Sequence, residues 1–235
     1  MQIELRELER KDYDKAIEFA VKGMHFNRYT ENEKELYLYG KYFLYMEMQR
    51  ATQMIAAYMG EHLVGLVLAE VKGETKRYRS LWKGLYVKTM ELIMKVIGKS
   101  QPSTYEEANK KMLQNYMKKA HPDGEICFVA ADPNLQGKGI GSIMMKELEQ
   151  REAGKLLYLF TDSNCTYQFY EHRGFEKVGC QNIALQIGKK RTALTCLLYN
   201  KRFPKMDVIA LVNCPDLVYN IEQNKLLCME ERYGV

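Results

Sequence analysis

The sequence lacks the residue spacings that metal centres and disulfide scaffolds require. Its six cysteines include no C-x-x-C pair, and its four histidines are scattered along the chain, so the sequence predicts no metal site. The first residues do not read as a secretory leader, and a chain of this size is then expected to keep its thiols reduced. We therefore expect a cytoplasmic protein that uses neither a metal nor disulfide bonds.

Long apolar runs and concentrated positive charge are also missing. No segment approaches the roughly 20 consecutive apolar residues of a membrane span, and the formal net charge is only +5. Neither an arginine-rich arm nor a basic and aromatic alternation favours nucleic acid. We expect no membrane and no nucleic-acid partner. Hydrophobic residues make up 46% of the 235, enough to build the core of a single α/β domain over residues 1–235.

The most informative segment present is a glycine-rich turn, Gln136–Gly141. An apolar strand over 126–131 precedes it, and an amphipathic helix follows. The predicted inward residues of that helix are Ile140, Ile143, Met144 and Leu148. Glycines at alternate positions let the backbone approach a ligand closely. Because a helix N-terminus also offers free N–H groups to anions, the segment predicts a phosphate cradle.

Three kinds of cradle compete for this segment. The P-loop needs G-x-x-x-x-G-K-[ST], but Lys138 lies between the first two glycines and Ser142 follows a glycine. The dinucleotide fingerprint needs G-x-G-x-x-G, and Gly141 comes one residue too early for it. The pattern that fits is [QR]-x-x-G-x-[GA], met by Gln136, Gly139 and Gly141. A glycine-rich turn that binds nothing is the alternative.

A second motif follows the first. After an apolar strand over 155–161 come a turn with Asn164 and the pattern F-Y-x-x-x-G-F, from Phe169 to Phe175. The two motifs together resemble motifs A and B of the GNAT superfamily of acyl-CoA-dependent N-acetyltransferases. The resemblance covers roughly residues 1–72 and 122–200. It implies a GNAT-like α/β fold with a mixed, mostly antiparallel twisted sheet flanked by helices.

Two segments fall outside that minimal fold. Residues 73–123 predict a helical insertion between the third and fourth strands, with helices over 81–97 and 103–119. Since long segments of this kind are uncommon without function, the insertion would cover the substrate mouth or form the contact of a homodimer. The C-terminal extension, 204–235, predicts a buried strand at 208–212 and an edge strand at 226–229.

The resemblance also implies roles for individual residues. Backbone groups of Val129, Ala130 and Ala131 would hold the acyl carbonyl and the pantetheine of acetyl-CoA. The pyrophosphate would lie on the loop formed by Gln136, Gly137, Lys138, Gly139, Ile140, Gly141 and Ser142. Asn164 would hydrogen-bond the coenzyme arm. Tyr170 would be the general acid to the departing thiolate, a role that a phenol suits.

The sequence is less specific about the general base and about motif A itself. Glu125, just before the predicted fourth strand, stands where family members often carry a carboxylate, and Asp162 is a second candidate. Either would equally suit a solvated strand end. Motif A more commonly begins with Arg, and Gln136 keeps a donor for phosphate without its charge, which implies weaker coenzyme binding.

The function predicted from these residues is N-acetyl transfer. The acetyl group would pass from acetyl-CoA to a primary amine of an unidentified acceptor by direct attack in a ternary complex, since no cysteine stands where an acyl carrier is expected. The alternative is a GNAT-fold sensor or interaction module that binds acyl-CoA without turnover. Tyr170 favours the enzyme, because a pure binder needs no acid for a thiolate.

Overall fold

The computed structural model describes residues 2–28, 30–96, 103–187 and 190–205. Its strands are β1 (Ile3–Arg6), β2 (Gln53–Met59), β3 (His62–Val71), β4 (Gly124–Ala131), β5 (Leu156–Asp162), β6 (Glu176–Ile187) and β7 (Lys190–Arg202). Its helices are α1 (Tyr13–Gly23), α2 (Glu33–Arg50), α3 (Leu81–Val96), α4 (Thr104–Met117), α5 (Ile140–Arg151) and the single turn α6 (Gln168–Glu171). Short 3-10 turns precede α1, α2 and α5.

Over these ranges the strands form one sheet in the order β1-β2-β3-β4-β5-β7-β6. The pair β4–β5 is parallel, and the other neighbouring pairs are antiparallel. A parallel pair needs a crossover, and here α5 supplies it. The predicted mixed, mostly antiparallel sheet with flanking helices is confirmed.

The insertion is helical, and it lies between β3 and β4 as predicted. The start of α4 is fixed by a capping box, in which Ser103 Oγ accepts the N–H of Glu106 and the Glu106 carboxylate accepts the N–H of Ser103. Helix α3 packs against α2, and α4 packs on β6 and β7. The end of the first inserted helix, predicted at residue 97, lies outside the described residues, as do the strands predicted at 208–212 and 226–229.

The sheet has two covered faces, which we name by their helices. On the α5 face, α5 packs its buried residues Ile140, Met144, Met145 and Leu148 against the centre of the sheet. Ile143, predicted to lie inward, is exposed and Met145 is buried, so the buried stripe is rotated around the helix away from Ile143. Burial of each such side chain stabilises the fold by about 1.5–3 kcal/mol. The α2 face is covered by α1 and α2 over β2–β4 and by α4 over β5–β7.

The centre of the sheet is split between β4 and β5. These strands pair at two positions, Gly124 with Leu157 and Glu125 with Tyr158, and then separate. On its other side β4 stays paired with β3, although a bulge interrupts the register opposite Leu68 and Ala69. Beyond Glu125, the backbone groups of β4 that face β5 therefore have no strand partner. This separation positions the site described next.

Candidate active site

The glycine-rich loop leaves β4 at the open end of the split and forms the start of α5. Gly137 and Gly139 have φ values of 84° and 73°, a left-handed conformation that favours glycine. A Cβ at either position would meet nothing within 4 Å, so the backbone conformation and not space calls for glycine. Gly139 is the N-cap of α5. The N–H groups of the first helical turn, Ile140 to Ser142, have no acceptor within the helix and can bind an anion.

A guanidinium lies beside these N–H groups, a feature that the sequence analysis missed. Arg173 donates hydrogen bonds to Ser142 Oγ and to the carbonyl of Phe169, and it lies 3.7 Å from the centroid of the Phe169 ring. The same ring fixes the loop closely, since a Cβ on Gly141 would lie 3.0 Å from it. Gln136 and Lys138 are exposed. Arg173 directly precedes Gly174, and its position in the sequence gives no sign of where its charge lies.

The three β4 residues predicted to hold the acyl arm lie beyond the point where the strands separate. Val129, Ala130 and Ala131 pair with Val67, Leu66 and Gly65 of β3, so only their side toward β5 is open. The side chain of Val129 packs on the α5 face, and that of Ala130 packs on the α2 face. The backbone between them can therefore hydrogen-bond a ligand that enters the split.

Motif B places its two predicted residues after β5. Asn164 is exposed, and its N–H donates to Asp162 Oδ1 over 2.8 Å. Tyr170 packs on the α5 face, edge-on to Phe169 and Phe175 at centroid distances of 5.2 and 5.7 Å. Burial raises the pKa of Tyr170 above its ordinary value. The phenol therefore carries its proton at neutral pH, as a general acid must.

Glu125 is neither solvated nor outside the strand, in contrast to the prediction. It lies within β4, because its pairing with Glu70 and Tyr158 extends the strand toward its N-terminus. Arg50 Nη2 and the Tyr158 hydroxyl both donate to Glu125 Oε2, the latter over 3.1 Å. Asp162 is the last residue of β5 and is 8% exposed, and it accepts the N–H of Asn164. Both carboxylates thus have structural partners.

A third carboxylate, Glu47 of α2, was missed. It is 5% exposed, and its Oε2 has no hydrogen-bond partner, although Arg50 Nη1 lies 3.6 Å away. Burial raises the pKa of Glu47 to about 7; the Arg50 charge opposes the rise and the Glu125 charge adds to it. Burial also raises the pKa of Cys127, whose thiol contacts the carbonyl oxygen of Glu125 at 3.6 Å. In sequence, Glu47 and Arg50 look like an exposed helical ion pair, so no signal marked them.

Two further observations apply to the part of the chain that the structure describes. It contains no group of three or more His, Cys, Asp or Glu residues that could hold a metal ion. None of its helices is both long and apolar enough to cross a membrane.

Comparisons with known proteins agree with this architecture. Residues 106–177 match the family model of the acetyltransferase (GNAT) domain; no curated protein sequence matches. The histone acetyltransferase HPA2 and related acetyltransferase from Corynebacterium glutamicum is similar in structure, with a TM-score of 0.52, 14% identity, and coverage of 88% of this chain and 99% of that chain. PH1933 from Pyrococcus horikoshii has a TM-score of 0.50, 16% identity, and coverage of 86% of this chain and 98% of that chain.

At these identities the solved structures show the fold alone, and the family model supplies the rest. The matched residues run from α4 through β4, the glycine-rich loop, α5 and β5 to motif B, so they include both motifs on which the prediction was based. The predicted resemblance to the GNAT superfamily is confirmed over residues 106–177, which match the acetyltransferase (GNAT) domain model.

Proposed function

We propose that this protein is an N-acetyltransferase that uses acetyl-CoA and transfers the acetyl group directly to a primary amine. The observation that carries the proposal is the convergence of three features at the open end of the β4–β5 split. The glycine-rich loop follows β4, the Asn164 turn follows β5, and Tyr170 packs on the α5 face beside them. A non-catalytic binder would use the loop but would have no need of the phenol.

The coenzyme half of the proposal uses backbone groups. The first-turn N–H groups of α5, with Gly137, Lys138 and the side chain of Gln136 beside them, would hold the pyrophosphate. The open side of Val129 to Ala131 would bind the pantetheine amides and the acyl carbonyl in the place of a neighbouring strand. Asn164 would contact the coenzyme arm from the β5 side. A ligand bound in this way fills the split in the sheet.

The chemical step needs one proton removed and one supplied. An acceptor ammonium group with a pKa near 10 must first lose a proton. Its nitrogen then attacks the thioester carbonyl, the C–N bond forms, and the C–S bond breaks. Tyr170 protonates the departing thiolate, and donors along β4 stabilise the oxyanion between the two events. Glu125, at the point where the strands part, supplies the negative charge that attracts the ammonium group.

The experiment that tests the proposal is acetyl-CoA binding by calorimetry, followed by thiol release with a panel of small amines, polyamines and peptides with free amino groups. We expect saturable binding, and thiol release with a subset of the amines. Binding without release for every amine would contradict the enzyme and favour the sensor. Absence of binding would contradict the coenzyme site itself.

A further inference from the structure

One guanidinium connects three carboxylates on the α2 face. Arg50 Nε donates to Glu70 Oε2 over 2.9 Å, its Nη2 donates to Glu125 Oε2, and its Nη1 lies 3.6 Å from Glu47 Oε2. Lys76 also binds Glu70, over 2.6 Å. Two cations therefore face three carboxyl groups, and the carboxyl oxygen without a hydrogen-bond partner is Glu47 Oε2.

The surroundings of Glu47 favour its neutral form. A buried carboxylate oxygen without a donor loses its hydration, and here burial outweighs the Arg50 charge and the hydrogen bond from Cys127, so the protonated form is favoured. The charged or titratable groups that face it are Arg50 on its own helix, Glu70 on β3, and Glu125 and Cys127 on β4. Tyr42, on the same helix, has its pKa raised first by burial and then by Glu91 of α3, Glu106 of α4 and Glu47 itself. Apart from Arg50, the groups that face Glu47 from β3 and β4 are acidic.

This cluster lies at the closed end of the split. Glu125 and Tyr158 form the last pair before β4 and β5 separate. Tyr158 packs edge-on against Tyr116 of α4, with ring centroids 6.5 Å apart, whereas Glu47 and Arg50 belong to α2. The cluster therefore contacts side chains of both α2 and α4 where they cover the sheet. Tyr170 packs on the opposite face, so a base in this cluster would lie on the other side of the sheet from the proposed acid.

We propose that Glu47 takes up the proton that the acceptor's ammonium group loses, while Glu125, fixed by Arg50 and Tyr158, holds that ammonium group in place. The nitrogen lone pair that is released forms the C–N bond of the product amide. The proton stays on Glu47 until the product leaves and then passes to water. The inference rests on the proposed function and adds to it a cationic amine, received on the α2 face, as the class of acceptor.

The test compares the pH dependence of kcat/KM in the parent protein, in Glu47→Gln and in Glu125→Gln, with the best amine of the panel. In the parent, kcat/KM should rise about tenfold per pH unit up to a pH near 7 and then flatten, since Glu47 must be ionised to accept a proton. In Glu47→Gln, kcat/KM should fall about 100-fold and should no longer show this rise with pH, which we call the rising limb. Glu125→Gln should keep the limb and raise KM for the amine.

A matched control is Glu91→Gln, which makes the same change on α3 and should leave both rate and limb unchanged. Glu47→Asp keeps a carboxylate and should restore the limb with a lower rate. If Glu47→Gln retains the parent's rate and limb, the inference is wrong while the proposed function stands. If the parent binds acetyl-CoA but releases thiol with no amine, the proposed function fails first and the inference fails with it.

Discussion

The two faces of the sheet at the β4–β5 split present different chemical groups. On the α5 face, the candidate coenzyme site consists mainly of backbone N–H groups from one continuous segment, shaped by Gly137 and Gly139. On the α2 face, the cluster around Arg50 consists of side-chain charges from α2, β3 and β4. A site made of local backbone depends on a few glycines. A site made of distant side chains depends on how the elements pack.

The difference also concerns energy. Helix N-terminal N–H groups are partly solvated and cost little when they bind nothing. Buried charges cost several kcal/mol each unless they are paired, so the α2 face stores an electrostatic penalty in Glu47. The predictions below test this contrast, from the largest expected effect to the smallest.

Gly139→Asp should remove coenzyme binding almost completely. The substitution forces a Cβ into a left-handed residue and places a carboxylate among the N–H groups that would meet the phosphates, so we expect acetyl-CoA affinity to fall about 1000-fold or more. Calorimetry measures the loss. Gly73→Asp is the control. Gly73 follows the C-terminal end of β3, has a similar φ of 82°, and also has open space around it. Equal affinities for the parent and Gly139→Asp would refute the phosphate cradle.

Tyr170→Phe should leave coenzyme affinity unchanged and lower kcat by about 100-fold to 1000-fold, because the departing thiolate loses its acid. Steady-state kinetics and calorimetry on the same sample separate the two effects. Tyr167→Phe, a neighbouring tyrosine on the same turn, serves as the control. A kcat equal to that of the parent would remove Tyr170 from the mechanism.

Glu47→Gln should stabilise the protein above pH 7 and have little effect near pH 4.5. The folded-state pKa of Glu47, about 7, lies above its unfolded value of 4.5, so the folded state binds the extra proton between these values and stability falls as pH rises through that window. The penalty at pH 8 amounts to at most about 3 kcal/mol. Denaturant unfolding at pH 5 and pH 8 measures it, and a variant less stable than the parent at pH 8 would contradict a strained carboxylate.

Gln136→Arg should have the smallest effect, a gain in acetyl-CoA affinity of about tenfold or less. It restores the charge that motif A more commonly carries, at an exposed position where salt screens the interaction. Calorimetry at two ionic strengths checks it, since the gain should shrink at the higher one. A gain that does not depend on salt would mean that the arginine acts through packing and not through charge.

The contrast between the faces also explains which parts of the fold and of the candidate site could be predicted from the sequence. The glycine-rich loop and the placement of the insertion depend on neighbours in the chain, and the patterns indicate them correctly. The Arg50–Glu125 pair beside Glu47 and the Arg173–Ser142 pair join residues that are 75 and 31 positions apart in the sequence, and no local pattern contains such contacts. Glu125 was identified, but its two donors come from α2 and β5, so its ion-paired state could not be foreseen.

The two-residue pairing of β4 with β5 has a consequence for the stability of the whole sheet. Four strands lie on one side of the β4–β5 pair and three on the other. This short pairing, the seam of the sheet, is where we expect the protein to open locally. A coenzyme bound across the seam would hold the two parts of the sheet together. At about 100 times its Kd it would add about 2.7 kcal/mol to the free energy of unfolding. Amide hydrogens along β4 should then exchange more slowly in its presence, and those of the β2–β3 hairpin should change least.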